Sequence, residues 1–414
     1  MALLNKQKII NDPIYGFITI PSELVFDIIE HPYFQRLRRI KQLGLTSYVY
    51  PGALHTRFHH ALGAMHLMVT CIDTLRSKGA EISTDEAEGA VIAILLHDIG
   101  HGPFSHALES VIAKDVHHEE ISLLFMNKLN EVFKGKLTLA IQIFQNKYHK
   151  NFLHQLVSSQ LDMDRLDYLK RDSFFTGVSE GIINSDRIIS MLRVSNDTLA
   201  VEAKGIYSIE KFIIARRLMY WQVYLHKTVL CAEHMLVKIL QRAKYLVKNG
   251  VDLPATPPFT FFLKNEISAQ KFFDDPKIAE IFSRLDDYDI FTSIKMWQWS
   301  DDKVLNLLCN NLVDRKLLHI EISNKAFDSD KQGIINKRVQ EKLNLTEEEA
   351  SYFVISDSVS NNAYKPGEDK INLLYRDGTM IDIADAADQL NISVLSNTVE
   401  KFFMCYPKEC VVKD

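Results

Sequence analysis

The chain has 414 residues, 47% of them hydrophobic and 24% charged, with a formal net charge of −5 and five scattered cysteines. These proportions belong to an ordinary globular protein and not to a disordered one, and the acidic balance excludes the global basic signature of a protein that coats DNA or RNA. An odd number of cysteines without a Cys-x-x-Cys argues against a disulfide framework and fits a reducing cytoplasm, and neither a signal-like N-terminus nor an apolar run of about 18 residues points to export or a membrane span.

In chain order, residues 9–20 read as a turn at Asn11-Asp12-Pro13 followed by a short strand or hairpin arm. Ser22 caps a helix. Pro32 opens the next, which is expected to carry Phe34 to Leu43 and to stop at Gly44. Arg36, Arg38, Arg39 and Lys41 make it the most basic helix of the chain, suited equally to a solvated face or to a phosphate partner. A long helix is predicted from Arg57 to about Lys78, with Arg57 and His60 three apart on one face. Thr84 is a fair N-cap for the next, with Glu86 and Glu88 in its first turns. Its apolar run, Ala90 to Leu96, delivers His97 and Asp98 to the interior.

The stretch from His97 to His106 organises the rest. Five of the fifteen histidines fall between His97 and His118, far above an even spread. Neighbours on a helix point about 100° apart, so His97 and Asp98 share an ion only if it sits beside that helix edge. Gly100, Gly102 and Pro103 break the helix and bring His101 and His106 round to the same place. The plain alternative is a polar helix end with histidines as caps. A buried His-Asp pair with two further histidines is costly without a partner, and a divalent metal supplies one. His117 to Glu120 opens another helix, amphipathic to about Leu156 and without recognisable chemistry.

Asp164, Tyr168 and Asp172 recur at i, i+4 and i+8, a polar stripe suited to a cleft wall, while Leu161, Leu166 and Leu169 face a core. A solvated helix of mixed charge is the alternative. A helical region from Ser208 to about Lys248 repeats the spacing in Arg216, Tyr220 and Tyr224, with His226 and Lys227 just beyond. Leu253 to Pro258 reads as a loop, and helices continue to about Val313. There the period changes. Strands are expected at Leu317–Ile322 and Tyr352–Ile355, a short helix after Thr346, a hairpin from Leu373 to Ile383 turning at Asp377-Gly378, a helix at Asp385–Leu390 and a closing strand at Glu400–Tyr406. The expected fold is mainly α: a helical domain over residues 1–313 and a small C-terminal α+β lobe over 314–414.

His60, His97, Asp98 and Asp164 offer two imidazoles and two carboxylates from three helices, a donor set that suits Fe, Mn, Zn or Mg. Such an ion lowers the pKa of a bound water from about 15.7 towards 7, which is the basis of metal-assisted hydrolysis. Arg57, Arg165, Arg216 and Lys227 are the cations near these motifs. His106 or His118 has the right titration range to protonate a leaving oxygen.

The pattern of His60, His97-Asp98 and Asp164 resembles the H…HD…D signature of the HD-domain phosphohydrolases. The runs Ile10–Gly16, Phe34–Arg38, Ile40–Gly44, Pro51–Ala53, Arg57-Phe58, His97–His106 and Asp162–Tyr168 resemble one branch more closely, the deoxynucleoside triphosphate triphosphohydrolases, across roughly residues 8 to 245. The resemblance implies an HD-domain helical core in which His60, His97, Asp98 and Asp164 bind the metal. It makes His106 the acid for the 5′-oxygen, places His101 and His118 around the α-phosphate, and has Glu119 orient one of them. Arg57, Arg165, Arg216 and Lys227 would hold the triphosphate. Gln42 and Asp172 would take the sugar 3′-hydroxyl, and Tyr168 would pack where a ribose 2′-hydroxyl projects. Leu43, Tyr220 and Tyr224 join the substrate-binding set. The products would be a deoxynucleoside and inorganic triphosphate.

The same resemblance implies a homo-tetramer with a second nucleotide site at its interfaces. Ile9, Asn11, Gln35 and Arg38 match that site, with Glu30 where an aspartate reads guanine, so GTP or dGTP is the expected activator. Some positions depart from the family pattern: Arg165 stands where a lysine is usual, Tyr220 replaces a histidine, no SAM domain precedes the motifs and the C-terminal lobe has no match. Arginine for lysine is not neutral at a phosphate. Two rivals remain at this stage. One is an HD hydrolase of another nucleotide, such as (p)ppGpp or a cyclic nucleotide, which would have no need of Tyr168, Asp172 and Gln42. The other is a non-catalytic nucleotide sensor or nucleic-acid-binding protein, for which the basic stretch is the best support.

Overall fold

Two apolar helices form the centre of the protein, which is described by a computed structural model over residues 8–104, 116–362, 364–365, 370–387 and 397–411. Arg57–Ser77 buries Phe58, Ala61, Leu62, Met65, Met68 and Leu75, and Thr84–Leu96 buries every residue from Gly89 to Leu96. The Gly89–Leu96 run, apolar on every side, has to be surrounded. The two pack on each other, and Met163–Thr176 lies against the first. That approach depends on Gly63, because a Cβ there would stand 2.0 Å from Asp167 Oδ1 and 2.2 Å from Arg171 Nη2. The N-cap of Thr84–Leu96 is Ser83, one residue before the expected Thr84. Ser83 Oγ accepts from Glu86 N at 3.1 Å and Glu86 Oε2 accepts from Ser83 N at 2.8 Å, a reciprocal box that only a cap three residues before Glu86 can close.

At the N-terminus, Ile9–Asp12 and Gly16–Thr19 pair as an antiparallel hairpin. Its turn is closed by Asp12 Oδ1, which accepts from Ile14 N at 2.9 Å and Tyr15 N at 3.1 Å, so the turn falls slightly later than Asn11-Asp12-Pro13. Ser22 caps Glu23–Glu30 as expected. The single basic helix expected from Pro32 to Leu43 does not form. Pro32–Gln35 is α-helical, Arg36–Arg39 is a 3-10 turn, Ile40 is extended and Lys41 bridges to Thr56. Tertiary partners override the helical pattern here. Arg36 is fully buried and donates from Nη1 to Leu285 O at 3.1 Å and from Nη2 to Ile99 O at 2.9 Å, so it faces the interior and not a phosphate.

The helical region after Ser208 is also divided. Ile206–Met219 runs into a π turn at Tyr220–Tyr224, and Lys227–Lys248 starts afresh with His226 as its cap. Single π turns inside helices recur at functional sites. Towards the C-terminus, Val399–Tyr406 is the central strand of a three-stranded antiparallel sheet, flanked by His319–Ser323 and Ile355–Asn361. The strand expected from Tyr352 begins only at Ile355, because the turn after Glu347–Ala350 continues through Phe353 N, which donates to Ala350 O at 2.9 Å. The hairpin of Asn372–Leu374 and Met380–Asp382 turns at Asp377-Gly378, with Gly378 at φ 88°. Asn372–Leu374 also pairs in parallel with Thr198–Glu202, so this hairpin extends a sheet begun among the helices. The helix expected at Asp385 is Ile383–Ala386, and residues 388–396 lie outside the described ones. The fold is mainly α with a small α+β portion at its C-terminal end. No helix among the described residues is long and apolar enough to cross a membrane.

Candidate active site and metal centre

Three helices converge on one point. His60 comes from the first turn of Arg57–Ser77, His97 is the C-cap of Thr84–Leu96, and Asp164 lies in the first turn of Met163–Thr176. His60 Nε2 stands 3.1 Å from Asp164 Oδ1 and 3.4 Å from His97 Nε2, and His97 Nε2 stands 3.5 Å from the same carboxylate oxygen. Asp98 Oδ1 is 3.4 Å from His97 Nε2 and 3.3 Å from His101 Nε2. Asp98 thus links two groups, His60–His97–Asp164 and Asp98–His101–His118, in each of which the donor atoms lie within 4.8 Å of one another. Separations of 3.1–3.5 Å match the edges of a coordination shell with bonds of about 2.0–2.2 Å.

The imidazoles are aimed by their other nitrogen. His60 Nδ1 is hydrogen-bonded to Asp167 Oδ2 at 2.8 Å, and His97 Nδ1 to Ile94 O at 2.6 Å, which turns both Nε2 atoms inward. Asp167 is itself bound by Arg171 at 2.9 and 3.0 Å, and Arg171 Nη1 reaches Asp12 at 2.8 Å. All four of these supporting groups are buried. Sequence reading missed Asp167; its position three residues after Asp164, on the same helix face, was the available signal.

Charge follows from this geometry. Burial opposes a proton on His60, but the Asp164 and Asp167 carboxylates override it and push the imidazole up to about 10. His97 is raised against the same burial by Asp98 and Asp164. Asp98 and Asp164 are held far below the usual carboxylate range, again against burial: His97, His101 and Arg57 do so for Asp98, His60 and His97 for Asp164. A pocket that favours positive charge on two imidazoles is one that a divalent cation fits, and the two-nitrogen, two-carboxylate set suits Fe, Mn, Zn or Mg. Burial and the nearby Arg57 push His101 well below the usual histidine range, so it is neutral.

The remaining candidates divide. Arg57 is ion-paired to Asp98, and Arg165 to the buried N-cap Asp162, so both cations start with a carboxylate partner. His101 stacks on His118 at 3.8 Å between centroids, with exposed Glu119 3.4 Å from His118 Nε2. Asp172 Oδ1 is bonded to His55 Nε2 at 2.8 Å and its Oδ2 accepts from Tyr224 OH at 2.7 Å. Tyr224 meets Tyr168 and Tyr220 edge-on, at 6.1 and 5.1 Å, and Arg216 stands 5.8 Å over the Tyr220 ring. Gln42 is tied to His55 through its backbone, N to O at 3.0 Å, with half-buried Leu43 beside it. His55, which is buried, stacked on Phe175 and paired with Asp172, was missed as well. Gln42 Oε1, His55 Nδ1 and Arg165 Nε are buried polar atoms without a protein partner among the described residues.

Lys227 is exposed and lines a cleft of about 230 Å³ with Trp221, His226 and Lys401. His106 lies outside the described residues. Of the second nucleotide set, Ile9 and Asn11 are exposed on the N-terminal hairpin. Glu30 and Gln35 line a cleft of about 280 Å³ with Arg39 and Arg284, and Arg38 Nε donates to Gln35 Oε1 at 2.8 Å.

Comparison with known proteins places this geometry. Residues 57–172 match the HD domain family and residues 183–253 match the HD associated region. A crystal structure of a phosphohydrolase from Bacteroides thetaiotaomicron is 54% identical, covering 97% of this chain and 100% of that one with a TM-score of 0.94. The uncharacterized protein YwfO of Bacillus subtilis is 32% identical over 99% of this chain and 94% of its own length. The deoxynucleoside triphosphate triphosphohydrolase SAMHD1 homolog of Dictyostelium discoideum is 33% identical over 58% of this chain, and the match spans half of that longer protein. With its helices converging two histidines and two aspartates inside the matched segment, the chain belongs to the HD-domain phosphohydrolases and is homologous to the SAMHD1 triphosphohydrolases.

Proposed function

We propose that this protein hydrolyses deoxynucleoside triphosphates to a deoxynucleoside and inorganic triphosphate, with a divalent metal held by His60, His97, Asp98 and Asp164. The chemistry such an ion supplies is Lewis acidity towards a phosphoryl oxygen and the attacking water. Arg57, Arg165, Arg216 and Lys227 bring positive charge to the triphosphate. Neutral His101, stacked on His118 and steadied through Glu119, donates to the α-phosphate. His106 delivers the proton to the departing 5′-oxygen.

The observation that carries this reading is an unbroken path of contacts from the metal cluster to the polar groups of Asp172, His55 and Gln42. It runs from Asp164 along its helix to Tyr168, across to Tyr224, on to Asp172 and His55, and ends at Gln42. Each Asp172 oxygen spends one bond on a protein partner and keeps a lone pair for a 3′-hydroxyl. Gln42 Oε1, which has no partner among the described residues, supplies a second acceptor. A 2′-hydroxyl would meet the half-buried ring of Tyr168, losing water without gaining a partner. Homology to the SAMHD1 triphosphohydrolases supports the same substrate.

A guanine nucleotide at Ile9, Asn11, Glu30, Gln35 and Arg38, bridging copies in a homo-tetramer, is the companion reading. It is supported by the cleft that Glu30 and Gln35 share with two arginines. The test is to load the protein with Fe, Mn, Mg or Zn, supply each dNTP and its ribonucleotide with and without GTP or dGTP, and measure triphosphate release and sedimentation. Triphosphate from dNTPs alone supports the reading. Turnover of (p)ppGpp or a cyclic nucleotide in place of dNTPs would refute it. GTP dependence that survives Arg38→Ala would remove the activator site.

A further inference from the structure

We propose that Asp287 and Arg36, which lie outside both matched family segments, are positioning residues that clamp the His97–Phe104 segment and the Lys41–Gln42 segment in one fixed arrangement. This rests on the hydrolase reading. Asp287 is buried and makes two long-range bonds to backbone: Oδ1 accepts from Phe104 N at 2.9 Å and Oδ2 from Lys41 N at 2.9 Å. One carboxylate thereby joins the segment that carries His97, Asp98 and His101 to the residue next to Gln42. Arg36, five residues before Lys41, donates to Ile99 O at 2.9 Å and to Leu285 O at 3.1 Å, and so joins the stretch leading to Lys41 both to the His97–Phe104 segment and to the loop that leads into Asp287. The flanking Asp286 is anchored to Arg39 Nε at 2.5 Å.

The backbone between these anchors needs holding. Phe104 sits at φ 51°, a left-handed conformation that a non-glycine residue keeps only where its surroundings impose it. Gly100 has no room for a side chain, since a Cβ would stand 2.3 Å from His118 O and from Ser122 N. Gly100 N donates to Ser122 Oγ at 2.9 Å, which pins the other side of the loop. Burial lifts the Asp287 carboxyl to about 6, so at neutral pH it is ionised and accepts at both oxygens. An asparagine in its place has one acceptor, and its amide N–H₂ would oppose the second backbone N–H.

The test is Asp287→Asn in the metal-loaded full chain. We expect kcat for dNTP hydrolysis to fall by about 10- to 100-fold, the cost of misplaced reacting groups, with KM and bound metal near wild type. Amide exchange in peptides containing Lys41 and Phe104 should quicken in both together. A kcat within about twofold of wild type despite quickened exchange, a loss of activity that follows lost metal, or continued protection of either amide would overturn the proposal. A wild type that hydrolyses no dNTP would sink the substrate reading and leave the exchange result to decide the clamp. Arg36→Met, which keeps an unbranched side chain but removes both backbone bonds, serves if Asp287→Asn does not fold, with the same readouts. Two unfolded variants would show a role in core stability in place of positioning.

Discussion

Asp167→Asn tests whether the metal site is built from behind. Asp167 Oδ2 accepts from His60 Nδ1 at 2.8 Å and from Arg171 Nε at 2.9 Å, while Oδ1 accepts from Arg171 Nη2 at 3.0 Å. Asparagine keeps the volume but has one acceptor oxygen, so its amide N–H₂ is turned towards either the His60 ring or the arginine. Two losses follow. Arg171 keeps only Asp12 as a counter-charge; breaking a buried pair outright costs about 3–5 kcal/mol, and the surviving Asp12 contact brings the expected loss of stability to about 2–3 kcal/mol. His60 loses the anion that fixes its tautomer, and removing such a partner typically weakens metal binding by about 10- to 100-fold, or about 1.4–2.8 kcal/mol. Chelator competition gives the metal Kd, and denaturant unfolding of the metal-free protein gives stability. A folded variant with metal affinity within about twofold of wild type would show that His60 is not a ligand oriented by Asp167.

Four further outcomes are expected. Asp164→Ala and His97→Ala should lose bound metal and hydrolysis together while circular dichroism stays helical, and turnover in a metal-free variant would end the assignment. His106→Ala should keep metal and substrate binding but lose turnover by about 10²–10⁴, the usual scale for general acid catalysis; a change in affinity alone would leave it a substrate-positioning role. Gly63→Ala should cost about 1–3 kcal/mol by overpacking and reduce metal content, because its methyl must displace Asp167 or Arg171; a wild-type melting temperature would contradict that close approach. Glu86 is held at about 2, its burial outweighed by Lys150, the Ser83 N–H and Tyr148. A carboxyl depressed on folding stabilises above its unfolded pKa of about 4.3 and loses that contribution as pH falls towards 2. Glu86→Gln should therefore be about 1–2 kcal/mol less stable than wild type at pH 6, the screened share of that shift, and should converge with it near pH 2 in thermal melts; a pH-independent gap would contradict the assigned carboxylate.

The helices that carry the site were legible because their signals are local. The Ala90–Leu96 run, the histidine density after it and the i, i+4, i+8 stripe from Asp164 all lie within a few turns of chain, where periodicity reports which face is buried. The same local signals misjudged the basic stretch, since nothing near Arg36 in sequence reveals that Ile99 and Leu285 hold its guanidinium. They also could not rank Asp167 above the other acids of its helix, nor single out His55, because each acquires its role from a partner more than 100 residues away. By itself the sequence determined which donor types were available and on which helix ends they stood. Only the tertiary structure decided which of them meet, that Arg57 and Arg165 start paired with aspartates, and that Asp287 binds two distant backbone amides. The reason is physical: secondary structure is set by neighbours along the chain, whereas buried charge and backbone amides are satisfied by whatever packing brings within 3 Å or so.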